Sequence, residues 1–161
     1  MVRYLDKEKE LELLPELFDL LYENMHSIAP FSESYEGEKG QWVHCIKDAL
    51  KREPRRMLLL YAGNTLAGFC MYYINDGKLM VEEVQIRKEY RHTTVAAELF
   101  QFLKHILTPD VAYIEAFADK RNLNSRHLME KRHMKPIGQT PDGTCIHYRG
   151  ERESFLTKKE P

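Results

Sequence analysis

Two adjacent carboxylates, Glu82 and Glu83, interrupt an otherwise apolar stretch, and a few residues later the chain turns basic with Arg87, Lys88, Arg91 and His92. An acid on a strand can take a proton from an incoming nucleophile. If apolar surroundings cover it, its pKa rises towards neutrality, where a general base is most useful. Strict alternation along a strand sends one of the two to each face, so one points to a covered face whichever way the strand is turned. The competing reading places both at a strand end, paired with surface lysines.

The stretch "EEVQIRKEYRHTTVAAELF", residues 82–100, reads as a strand that passes through a short turn into a helix. A helix N-terminus exposes unpaired N–H groups and the positive end of its dipole, so such a turn is an anion site. With basic side chains beside it, pyrophosphate is the natural guest of residues 86–96. Thr93 and Thr94 lie in this turn, which has no glycine. Threonine is a good cap, and at negative φ its N–H and hydroxyl could both reach a phosphate. Capping alone, with nothing bound, is the alternative.

The elements that must position these residues follow from hydrophobic period. Residues 1–5 suit a first strand. Asp6 can cap a helical turn, and Pro15 suits the first turn of a helix carrying Leu14, Leu17, Phe18, Leu21 and Tyr22 on one face. "SIAPFSESYEGEKG" reads as a loop long enough to line a substrate site, followed by a helix from about Gly40 to Arg52. Residues 55–87 form three apolar runs separated by "GN" and "NDG", the signature of an antiparallel meander. The period then lengthens to 3.6 through Val95, Leu99, Phe100, Leu103 and Ile106. "VAYIEAFA", 111–118, reads as a strand buried on both faces and parallel to the one before the helix. A helix from about Leu123 to Lys131, a strand near Lys135 to Gln139 and a last strand "TCIHYR" complete the order. The charged tail from about 150 to 161 is expected to fray.

The segment Ile86-Arg-Lys-Glu-Tyr-Arg91-His-Thr-Thr94-Val-Ala96 resembles the central motif of the GNAT family of N-acetyltransferases. That motif is a hydrophobic strand, a turn, then Arg-x-x-Gly-x-Gly/Ala opening a helix. Relatives often carry glycine at the positions of His92 and Thr94, so the loop here is degenerate. "NLNSRHLMEKRHMKPIG" resembles the second family motif, with Asn122, Ser125, Leu128, Glu130 and Lys131 at matching positions and His133-Met134 in place of Gly-Phe. The resemblance implies an α/β fold of GNAT type: a mixed, mostly antiparallel central sheet with flanking helices and one parallel, splayed strand pair.

It also implies acetyl-CoA as acyl donor, held by backbone groups of Val84, Gln85 and Ile86, by the turn Arg91, His92, Thr93, Thr94, Val95 and Ala96, and by Asn122 with Ser125 beside it. An acid at Glu82, with Glu83 second, would serve as base towards a primary amine, because many relatives carry an acid at the position of Glu82. Met129 stands where many relatives place a tyrosine acid, so Tyr148 or a water would have to protonate the departing thiolate. Asn122 could equally be a helix cap. One alternative is a catalytically impaired member of this fold that acts as a CoA-binding or protein-interaction module; another is a structural or interaction protein with no CoA site, using exposed strand edges to dimerise.

Composition narrows the field around these motifs. The 161 residues fit one domain, 43% hydrophobic and 30% charged. A net charge of −1 gives no global pull towards nucleic acid or an anionic membrane. No apolar run reaches the ~20 residues that span a bilayer, and no signal sequence is evident, so the cytoplasm is the expected location. Cys45, Cys70 and Cys145 form no CxxC pair and the seven histidines no ligand spacing, so neither a disulfide framework nor a metal site is expected. Cys145 reads as a core thiol rather than a nucleophile. Glu33, Glu36 and Glu38 in the first long loop fit a cationic acceptor, small molecule or lysine side chain, and fit a solvated loop equally.

Overall fold

The computed structural model describes residues 1–52 and 54–157. Seven strands form one sheet: β1 (Val2–Tyr4), β2 (Arg56–Ala62), β3 (Thr65–Asn75), β4 (Lys78–Ile86), β5 (Tyr113–Asp119), β6 (Lys135–Gln139) and β7 (Cys145–Glu151). Their spatial order is β1-β2-β3-β4-β5-β7-β6, so the last strand inserts between β5 and β6. Every neighbouring pair is antiparallel except β4 and β5. The helices are α1 (Leu14–Met25), α2 (Tyr35–Arg52), α3 (Thr94–Ile106), α4 (Leu123–Lys131) and α5 (Arg152–Thr157).

The meander turns obey their residues. At "NDG" both Asp76 and Gly77 take positive φ, +49° and +69°, as a type I′ hairpin demands; at "GN" only Gly63 does, at +60°. Each sheet face then covers its own core. Leu58, Leu60, Ala67, Cys70 and Leu79 meet Val95, Leu99 and Leu103 of α3 on one face. Met57, Leu59, Phe69 and Met71 meet Leu14, Leu17 and Phe18 of α1 and Ile46 and Leu50 of α2 on the other. At about 1.5–3 kcal/mol for each large apolar side chain fully buried, these two layers dominate the stability.

Three expectations are corrected. The stretch 27–40 is not all loop, because α2 begins at Tyr35. Ser34 Oγ accepts from the Gly37 N–H at 3.2 Å, and the Glu38 carboxylate accepts from the Glu33 N–H at 3.2 Å. These caps offset the cost of Gly37 and Gly40 within a helix, about 1 kcal/mol each.

β5 is open on one face, where Tyr113 and Phe117 are 37% and 42% exposed. Glu115 sits in that apolar run because His147 Nε2 at 2.9 Å and Arg149 Nη2 at 2.6 Å pair with its carboxylate. The tail up to Thr157 does not fray: α5 buries Phe155 against Phe100, and Arg152 Nε donates to the Leu107 carbonyl at 3.0 Å. The remainder of that tail, 158–161, lies outside the described residues.

Candidate functional site

The site begins where the parallel strands part. β4 and β5 pair from Lys78 with Tyr113 to Val81 with Ala116, while β4 continues to Ile86 still paired to β3. From Glu82 onward β4 therefore has a strand neighbour on one side only. Alternate backbone N–H and C=O groups there face the gap rather than a partner strand. Val84, 38% exposed, marks the opening.

A β-bulge sits at the start of this free stretch. Met71 pairs with Glu83 and Tyr72 with Val81, so Glu82 is an extra residue with no counterpart on β3. The bulge breaks the alternation that would have sent the two carboxylates to opposite faces. Glu82 receives two hydrogen bonds from Arg55, 2.5 Å from Nε and 2.6 Å from Nη2, and the guanidinium lies over the Tyr73 ring. Glu83 accepts one hydrogen bond, from Gln85 Nε2 at 2.6 Å. Burial pushes the Glu83 carboxyl up to about 7, the Gln85 bond opposes that rise, and the charge of Glu82 adds to it. Of the two acids expected as bases, Glu82 is held by a guanidinium and Glu83 is poised to exchange a proton near neutral pH.

The turn after β4 has a left-handed backbone position without a glycine. His92, at a position where relatives often have glycine, adopts φ +62°. His133, at the glycine of the second motif, does the same at +57°. Histidine is among the few non-glycine residues enriched in this region, so the left-handed backbone persists under a different side chain. Thr93 is extended and caps α3: its hydroxyl accepts from the Val95 N–H at 3.3 Å and donates to the Tyr90 carbonyl at 2.6 Å. That use commits the Thr93 hydroxyl proton to the Tyr90 carbonyl, contrary to the expectation of a phosphate donor. First-turn N–H groups have no intrahelical acceptor. Val95 directs its own to Thr93, which leaves those of exposed Thr94 and small Ala96 facing the helix end.

The arginines expected to surround an anion are partly struts. Arg91 Nη2 donates to Asn24 Oδ1 at 2.6 Å and Nε to the Ile86 carbonyl at 3.1 Å. Arg87 Nε donates to the Leu66 carbonyl at 2.8 Å, and its Nη2 reaches Glu16 at 3.2 Å. Both side chains brace the turn against α1 and the meander.

On the other side of the gap, Asn122 caps α4 by accepting from the Ser125 N–H at 3.1 Å, and its Nδ2 faces Met25 Sδ at 3.7 Å. The capping reading accounts for its oxygen. Tyr148 is 1% exposed within the core beneath α3 and α5, which corrects its assignment as an acid able to meet a leaving group. Arg132 is 8% exposed, and its guanidinium stacks 3.8 Å over the Phe100 ring. Cys145 lies partly buried on β7. No cluster of three or more His, Cys, Asp or Glu side chains suited to a metal occurs among the described residues, and no described helix is long and apolar enough to cross a membrane.

Sequence reasoning missed two contributors. Arg55 carried no motif, and only its proximity to the acids through the meander register could have marked it. Asn24 stands on the buried face of α1, 7% exposed. A polar residue in that apolar stripe was the available signal.

Comparison with known proteins agrees with this fold. The model of the acetyltransferase (GNAT) family matches residues 14–134. No curated protein matches the chain. The chain is similar to the solved structure of the PaiA N-acetyltransferase of Thermoplasma acidophilum in complex with coenzyme A, with 18% identity, a TM-score of 0.73, and coverage of 94% of this chain and 98% of that one. An acetyltransferase from Thermus thermophilus gives a TM-score of 0.74 at 13% identity, covering 94% and 97%. Mutant forms of the spermidine/spermine N-acetyltransferase SpeG from Vibrio cholerae give 0.62 at 16%, covering 99% of each chain. At such identities the likeness speaks for the fold.

Proposed function

Because the chain belongs to the GNAT acetyltransferase family, we propose that it transfers the acetyl group of acetyl-CoA to a primary amine by direct attack, with Glu83 as general base. The carrying observation is the placement of Glu83: its carboxyl, raised to about 7, sits on the strand that parts from β5 and runs into the α3 N-terminus.

The residues fit the donor. Gln85 backbone faces Phe69 of β3 and the Ile86 carbonyl is taken by Asn24 and Arg91, so the N–H groups of Val84 and Ile86 are the ones that would face the donor along the gap. The Thr94 and Ala96 N–H groups would meet its pyrophosphate at the helix end, with His92 shaping the turn. Acetyl-CoA supplies an activated thioester carbonyl. Glu83 removes the proton from the incoming ammonium, so that a neutral nitrogen attacks. Backbone N–H groups at the bulge, which need no reorganisation, stabilise the developing oxyanion. The C–S bond then breaks, the nitrogen passes its second proton through water to the departing thiolate, since Met129 has no proton to give and Tyr148 is buried, and Glu83 returns its proton to solvent. Glu82, paired with Arg55 beside the base, adds to the rise that burial causes at Glu83.

Isothermal titration tests the donor site. Acetyl-CoA should bind in the micromolar range, and no heat at millimolar ligand would refute the placement. The acceptor is a small-molecule or protein amine. Polyamines, aminoglycosides and lysine peptides form the first panel for turnover.

A further inference from the structure

A buried row of hydrogen bonds joins the basic turn to the proposed base. Arg91 Nη2 donates to Asn24 Oδ1 at 2.6 Å, Asn24 Nδ2 to Gln85 Oε1 at 2.9 Å, and Gln85 Nε2 to Glu83 Oε1 at 2.6 Å. The two amides between the charged ends are 7% and 5% exposed. Asn24 Nδ2 and Arg91 Nε also converge on the Ile86 carbonyl, each at 3.1 Å, which pins both side chains to the end of β4.

The direction of this row is forced at one end. A guanidinium has donors and no acceptor, so Asn24 must turn its oxygen to Arg91. Its nitrogen then faces Gln85, which must answer with its oxygen and so present its own nitrogen to Glu83. Reverse either amide and two donors or two acceptors collide in a site with little water to relieve them.

We propose that Asn24 and Gln85 are positioning residues for the transfer reaction, Asn24 fixing the direction of the row so that Gln85 always donates to Glu83. This inference rests on the reading of Glu83 as the base. A donor aimed at a carboxylate favours its ionised form, whereas an amide oxygen aimed at it favours the protonated form. Asn24 thus keeps a buried acid able to lose its proton near neutrality, and ties that ability to the same turn that would hold the donor's pyrophosphate.

The other charged or titratable groups around Glu83 work separately. Glu82 on the same strand favours its protonated form and is paired with Arg55 from the segment before β2. β3 presents Cys70, whose thiol burial and the nearby Glu83 charge push up, so it stays neutral. α1 presents the uncharged Asn24, with Arg91 beyond it.

Carboxyl 13C NMR of glutamate-labelled protein, with Glu83→Gln to assign the resonance, reads the Glu83 midpoint without any substrate. Asn24→Leu removes the relay, and the midpoint should rise by about one pH unit or more. Asn24→Asp still accepts from Arg91 but has no N–H for Gln85, so it turns that amide round; it should raise the midpoint further, and it serves if the leucine variant fails to fold. In turnover, the acid limb of kcat/KM should move up with the midpoint, and the rate should recover towards the wild-type value above about pH 9. An unchanged or lowered midpoint, or a rate loss equal at every pH, would overturn the positioning role. A wild-type protein with no turnover but the same variant shifts would overturn the proposed reaction and leave the row standing.

Discussion

Replacing Glu83 by glutamine should make the protein more stable in alkali while slowing its chemistry. The unfolded chain releases this proton near 4.5, and the folded chain holds it until about 7. Between those values the folded state binds more protons than the unfolded one, so stability falls as pH rises, and the whole penalty is present above 7. At about 1.4 kcal/mol per pH unit the penalty is about 3 kcal/mol, an upper figure because a partly buried carboxylate can relax towards solvent. Glutamine has the same shape, carries no charge and can still accept from Gln85 Nε2. Urea unfolding of both proteins at pH 5 and pH 9 measures the effect. The variant should gain up to about 3 kcal/mol at pH 9, seen as a higher urea midpoint, and much less at pH 5. Equal gains at both pH values, or a loss at pH 9, would refute the claim that Glu83 carries a burial-raised carboxyl.

Thr94→Glu places an acid on the first residue of α3, where it should stabilise the ligand-free protein by about 0.3–1 kcal/mol yet weaken acetyl-CoA binding at least tenfold; thermal melts and isothermal titration separate the two. His92→Val forces a β-branched side chain to the left-handed backbone at φ +62° and should cost about 1–2 kcal/mol in denaturant unfolding, whereas His92→Gly should cost nothing or stabilise. Gly68→Ala puts a Cβ 2.3 Å from the Gln85 backbone oxygen, so β3 and β4 must separate. A loss of about 1–3 kcal/mol should accompany a fall in kcat, because Glu83 and Gln85 move with that strand.

How much of this was visible beforehand varies with the range of the interaction. α4 and β6 fall on the residues that periodicity and punctuation marked, because Asn122 and the left-handed His133 delimit a short helix locally. The start of α2 was hidden by Gly37 and Gly40, whose low propensity outweighs, in a pattern, the caps at Ser34 and Glu38 that only folded geometry reveals.

The bulge at Glu82 is a property of the β3–β4 register and cannot be seen in β4 alone, so alternation misplaced the two acids relative to each other. The loop was legible in outline, since the family motif located it and threonine chemistry anticipated a cap, but the bond from the Thr93 hydroxyl to the Tyr90 carbonyl depends on the folded turn. The Asn24–Gln85 contact joins residues 61 positions apart, and no local pattern encodes it.

The most direct test of the account is amine-dependent release of CoA thiol from acetyl-CoA, followed from pH 5 to 9.5 for the wild type and Glu83→Gln across the amine panel. The account predicts thiol release only when amine is present, an acid limb in kcat/KM near pH 7 for the wild type, and a large rate loss with near-normal acetyl-CoA affinity for the variant. Acetyl-CoA that binds yet yields no amine-dependent thiol, or a Glu83→Gln rate equal to the wild type, would contradict it.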